Sequence, residues 1–167
     1  MSNPQRVAKD EPERIVLNNI NEFGWHAVNV IEHDDYPPWS FTIGLYETWQ
    51  HPELIVIGRS RATAHKMLEC LATQIENGSA PDFADHDPYP LLGIPCHFVE
   101  VNPRYSDYVG FALWFYRKRQ FPLYQIVWPN SETLYPWDRR APTSFKEWQP
   151  LLGNSPCAMG EPHACER

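Results

Sequence analysis

The stretch Trp39–Thr63, WSFTIGLYETWQHPELIVIGRSRAT, restricts the possible folds more than any other part of this chain. Two apolar, β-branched runs, Phe41–Leu45 and Leu54–Ile57, flank a polar connection, Tyr46–Glu53, that contains Pro52. Short runs of this kind bounded by turn residues read as strands. Gly58, Arg59, Ser60 and Arg61 follow the second run, and then Ala64, Met67, Leu68, Leu71 and Ile75 recur at helical spacing. Ser60 is placed to cap that helix and Asn77-Gly78 to end it. A strand that passes through Gly-Arg-Ser-Arg into a helix N-terminus suits an anion. Free backbone N–H groups and the helix dipole attract negative charge, and two guanidinium groups add charge-assisted hydrogen bonds. Arg59, Ser60 and Arg61 are therefore candidate ligand-binding residues; the plainer alternative is a solvated helix start with Ser60 as its cap.

The remaining segments fit around this unit. Residues 1–10 read as disordered, and a helix is expected over Glu11–Phe23, with Pro12 in its first turn and Gly24 as its stop. Trp25–Glu32 reads as a strand and His33–Pro38 as a turn. An acidic, Pro-punctuated loop, Pro81–Pro90, precedes a strand over Ile94–Val101. A third helix is expected over Asp107–Arg119, capped by Ser106, with Tyr108, Phe111, Ala112 and Phe115 on its apolar stripe. Leu123–Trp128 reads as a strong strand, and Thr133–Trp137 as a short returning edge strand. From Arg139 onward periodicity is lost, so an irregular or disordered tail is expected over 139–167. Strands joined mostly by short turns, without regular βαβ alternation, give one α+β domain over 11–138. Its sheet would be mostly antiparallel, with five or six strands and about three helices, and this order allows closure into a small split barrel.

The 167 residues suffice for one core without staples. A formal net charge of −7 argues against a general nucleic-acid-binding surface, which needs clustered Lys and Arg. No run approaches the ~20 apolar residues of a membrane span. The polar start MSNPQRVAKDEPER lacks a signal-peptide core, and the four cysteines lack CxxC spacing, which together read as a cytoplasmic protein with reduced thiols.

Chemistry-bearing side chains are few. His51, beside Pro52 and Glu53, is a candidate acid–base group, or else a turn histidine bonded to backbone. His86 with Asp82, Asp85 and Asp87 matches neither a calcium loop nor a zinc motif, and Cys157, His163 and Cys165 offer only three local ligands. No metal site is assigned. GxSxG, P-loop and GxGxxG signatures are absent, which disfavours ATP-driven and Rossmann-type dehydrogenase chemistry.

GWHAVNV at Gly24–Val30, FTIGL at Phe41–Leu45, HPELIVIG at His51–Gly58, the helix ending ENG and QIVWPNSETLYPW at Gln125–Trp137 together resemble a bacterial domain of unknown function, number 4262. The last motif departs from the family pattern at Asn130 and Leu134. That resemblance implies one domain and no activity. The order strand, TxGL, Pro-containing link, strand, polar tripeptide, helix is also similar, more distantly, to the FMN-binding split barrel of flavin reductases and pyridoxamine-phosphate oxidase relatives. That similarity implies that Arg59, Ser60, Arg61 and Thr63 hold a flavin phosphate, that Thr42 approaches the isoalloxazine ring, and that the protein is a homodimeric flavin-dependent oxidoreductase. The other expectation is a non-enzymatic interaction module, immunity-type or regulatory, whose acidic balance and aromatic residues serve a protein partner.

Overall fold

The structure, a computed structural model, describes residues 6–117 and 119–156. Its first helix, α1 (Glu11–Phe23), forms as the sequence predicts. The Asp10 side chain accepts from the Glu13 N–H, Pro12 sits in the first turn, and Gly24 closes the helix in the left-handed conformation. The strands β1 (His26–Val30), β2 (Trp39–Ile43) and β3 (Glu53–Ile57) follow, and successive pairs are antiparallel. A short helix, α2 (Leu45–Trp49), occupies the link that reads as a polar connection in the sequence. Gly44, at φ 107°, turns the chain out of β2 so that Leu45 is buried as the helix begins.

The long α3 (Arg61–Glu76) is capped by Ser60, as predicted. Beyond it come a three-residue strand, β4 (Tyr89–Leu91), then β5 (Ile94–Glu100) and β6 (Leu123–Val127). The helix predicted over Asp107–Arg119 is instead a 3-10 turn, Pro103–Val109, followed by the short α4 (Gly110–Phe115). Asn102, not Ser106, caps it by accepting from the Arg104 N–H, which starts the turn earlier and tighter than the stripe suggests.

The sheet order is β1-β2-β3-β6-β5-β4. All neighbours are antiparallel except the central pair β3 and β6, which run parallel. The α+β, mostly antiparallel expectation therefore holds. Barrel closure does not: the sheet is open, with β1 and β4 at its two edges. The sixth strand is β4 rather than Thr133–Trp137. That segment folds into turns around Asn130, whose side chain accepts from the Glu132 and Leu134 N–H groups while Thr133 adopts φ 62°.

Helices cover both sheet faces. α3 packs on one face against Leu54, Val56, Ile126 and Trp128. α1, the 3-10 turn and α4 pack on the other against Phe41, Ile43, Ile55 and Ile57. This explains ELIVI at β3: a central strand buried on both faces has no polar side to alternate with. No helix among the described residues is long and apolar enough to cross a membrane.

The chain past Arg139 departs furthest from expectation. It forms α5 (Thr143–Trp148) and then lies against the sheet, with Gln149 and Leu152 buried. Two buried amides hold it. Gln149 accepts from the Trp128 N–H at 2.9 Å and donates to the Trp128 carbonyl at 2.8 Å. Gln125 donates to the Pro150 carbonyl and accepts from the Leu152 N–H. At the other terminus, Arg6 forms an ion pair with Glu47 at 2.7 Å, so the expected disorder of 1–10 does not extend to this residue. The tail residues 157–167, and with them Cys157, His163 and Cys165, lie outside the described residues, as do residues 1–5.

Glu53, at the start of β3, is fully buried. Its carboxylate accepts from the Thr42 hydroxyl at 2.5 Å, the Gly44 N–H at 2.7 Å, the Tyr46 N–H at 3.3 Å and the Tyr116 hydroxyl. Burial pushes its pKa above the ordinary carboxyl value, and these donors pull it partly back. Glu53→Ala leaves four buried donors without an acceptor and should lower stability by about 4 kcal/mol. Glu53→Gln should recover most of the loss, because its carbonyl still accepts from Gly44 and Tyr46 while its NH2 turns to the Thr42 oxygen. Urea unfolding of the two variants at pH 7 measures the difference.

Candidate functional site

The parallel pair gives the sheet one place where two neighbouring strands end side by side. In open sheets the crevice beyond such carboxyl ends is where ligands collect, because the chains leaving the two strands diverge. Here β3 continues into Gly58 and α3, while β6 continues into Trp128 and the C-terminal segment. Register places Ile57 and Trp39 at the same level, so Gly58, Arg59 and Ser60 lie beyond the end of the sheet.

Two indoles build the floor. The Trp128 N–H donates to the Ile57 carbonyl at 2.8 Å, and the Trp148 N–H donates to the Gly58 carbonyl at 2.7 Å. Gly58 has φ 82°, and a Cβ there would meet the Trp148 carbonyl at 2.8 Å, so this approach requires glycine. Arg59 lies with its Cζ 4.1 Å from the centre of the Trp128 ring. Its Nε is buried without a hydrogen-bond partner, and burial lowers its pKa from the usual 12.5. Arginine titrates so far above neutrality that the group stays cationic. Beneath it, burial pushes the Cys96 thiol up to about 12, so this cysteine is a protonated, unreactive side chain.

The predicted site residues divide among three places. Ser60 accepts from the Thr63 N–H at 3.2 Å and donates to the Thr63 hydroxyl at 3.0 Å, so the two work together as a cap beside Arg59. The Ala64 N–H is satisfied by the Ser60 carbonyl, which leaves the amides of Arg61 and Ala62 as the open donors of the first turn. Arg61 lines a groove of about 1110 Å³ together with His26, His65 and Lys66, and Arg59 does not line it. Thr42 and His51 lie near the opposite end of β3, separated from Arg59 by roughly 15 Å of strand at ~3.3 Å per residue. Thr42 is fully buried, donates to Glu53 and accepts from the Leu54 N–H. His51 is half-buried, its Nδ1 is 2.9 Å from the Pro52 carbonyl, and its ring meets Phe83 edge-on. Burial lowers its pKa, so at neutral pH it is an uncharged, backbone-bonded turn histidine.

Sequence reasoning left Trp128, one of the aromatic residues of QIVWPNSETLYPW, undecided between pocket or partner surface and core, and missed Gln149 altogether. The first carried a signal: Tyr124, Ile126 and Trp128 alternate onto the α3 face, which puts Trp128 at the end of β6 under the helix start. Gln149 carried none, since a lone amide in an aperiodic stretch looks like loop.

On the other face at this end, His97 is buried between Tyr135 and Trp137, at ring distances of 4.6 and 5.2 Å. It hydrogen-bonds the His86 backbone, and Asp138 and Asp87 face it. Burial outweighs these and lowers its pKa from 6.5. A histidine with a depressed folded pKa contributes stability above its unfolded value, and that contribution is lost as pH falls. Unfolding free energy should therefore fall as pH drops below 6.5, with His26 and His51 adding to the slope, and the fall should be shallower in His97→Gln. Chemical denaturation across pH 5 to 8 reads both slopes.

No curated protein and no solved structure matches the chain. The profile of one family does, over residues 19–142, which take in all six strands of the sheet and all of α3. By that match the chain belongs to the family described as Domain of unknown function (DUF4262).

Proposed function

We propose that this protein binds a phosphate-bearing small molecule at the carboxyl end of β3 and β6, between Arg59 and the first turn of α3. The observation that carries this reading is the Arg59 guanidinium, stacked on Trp128 and with a buried Nε that no protein group accepts from. A stacked, planar guanidinium is held ready to present its remaining N–H groups to an anion, with little entropy left to lose on binding. Directly after Arg59 in the chain come the open amides of Arg61 and Ala62 and the positive end of a 16-residue helix, which favour an anion as well.

Flavin mononucleotide is one member of this ligand class, but the residues accommodate only its phosphate. Thr42 has no surface to offer an isoalloxazine ring, and the open sheet removes the split-barrel reason for placing a cofactor between two subunits. The reading is therefore of a phosphate-binding protein, with no redox step assigned.

Isothermal titration with inorganic phosphate, AMP and FMN tests it. At least one should bind, and Arg59→Ala should weaken that binding roughly tenfold or more, the worth of one charge-assisted contact. Arg61→Ala, whose side chain lies in the other groove, should change it little. Absence of binding by all three, or binding indifferent to Arg59→Ala, overturns the proposal.

A further inference from the structure

The two edges of the sheet are unequal. β4 is three residues long and includes Pro90, which cannot donate to another strand. β1 is five residues, HAVNV, with no Pro, Gly or acidic or basic Lys-type charge, and its five successive pairs with β2 leave no bulge. Natural edges are usually blunted by such devices, and β1 has none. Among the described residues no strand lies on its outer side. The groove of about 1110 Å³ runs along it, walled by α1 at Asn19 and Glu22 and by α3 at Arg61 and Lys66. At the strand's two ends stand Phe23, 58 % exposed, and Ile31, 78 % exposed.

We propose that β1 pairs with β1 of a second copy of this chain, antiparallel about a two-fold axis at Val28, making one continuous sheet across both. This axis sets His26 opposite Val30 and Ala27 opposite Asn29. One position further out it sets Ile31 opposite Trp25. Trp25 and Ala27 both pack on the α3 face, so by strand alternation Ile31 lies on that face too and is covered by the indole of the copy. Charge points to a copy as well. On the side of α3 that lines the groove, Arg61 and Lys66 occupy the first half, and Glu69 and Glu76 the second. The same two-fold runs α3 antiparallel to its copy, bringing the basic half toward the acidic half in an isologous contact.

Sedimentation equilibrium on the full chain tests the pairing. The expected particle has twice the 19.5 kDa chain mass. Ile31→Lys, at a position too exposed to disturb the fold, should raise the dimer dissociation constant by about tenfold. Lys66→Glu should also weaken the dimer, and Lys66→Glu with Glu69→Lys in the same chain should restore it. Circular dichroism confirms that each variant is folded. A monomer at every concentration overturns the proposal, leaving the edge to some other strand. A dimer indifferent to Ile31→Lys and Lys66→Glu overturns it equally, because the copies then meet elsewhere.

Discussion

The buried carboxylate of Glu53 organises more of this fold than any apolar contact. It sits at the point where β2 ends, the chain turns at Gly44, α2 begins and β3 starts back. Each of those pieces sends it a donor: a hydroxyl from β2, amides from Gly44 and Tyr46, and a phenol from Tyr116 after α4. A carboxylate is costly to desolvate, and the cost is offset only when every oxygen lone pair has a partner. That requirement fixes the link between β2 and β3 in one conformation. Tyr116 also accepts from the Glu47 N–H, so α2 and the segment after α4 are joined through the same hydroxyl. Burial of that phenol pushes its pKa well above the usual range, so it remains a donor at any physiological pH.

At the other end of β3 the controlling groups are amides and indoles. Gln149 and Gln125 imitate strand backbone, each offering an acceptor and a donor to chain that has left regular structure. They bring α5 and Trp148 against Gly58, and so complete the floor beneath Arg59. Phe145 meets Trp128 edge-on from the same segment. The candidate anion site thus depends on residues far apart in sequence: a helix start near residue 60, a strand end near 128 and a strap near 148.

That dispersal decides what the sequence could disclose. α1, α3 and the central strands were legible because each is set by local signals: Pro12 and Ser60 at helix starts, Gly24 as a stop, an apolar stripe, a β-branched run. The α+β class followed from their order. Parallel pairing of β3 with β6 was not legible, since nothing in ELIVI or LYQIV names a partner. Barrel closure failed for the same reason. Thr133–Trp137 had strand composition, yet Asn130 supplied local acceptors that stabilised turns instead. The C-terminal strap was missed because its attachment is polar and non-periodic. Within the site, Ser60 and Thr63 form the local cap that their spacing suggests. Arg61 lines a groove that Arg59 does not, while Thr42, grouped with them through the split-barrel similarity, and His51, read as an acid–base group beside a ligand, lie at the far end of a strand.

The parallel joint has one more consequence, for the covalent continuity of the chain. β1, β2 and β3 form one antiparallel half, and β4, β5 and β6 the other, and each half is contiguous in sequence. The loop after α3, from Gly78 to Pro88, carries the chain from one half to the other; its Asp82 and Asp85 side chains accept from amides two residues on, and its Phe83 packs on Phe98. The sheet is thus assembled from two pieces that recognise each other along β3 and β6 and through the cores on either face. A chain cut in that loop keeps every strand pair intact, which makes the protein a natural candidate for reconstitution from two fragments.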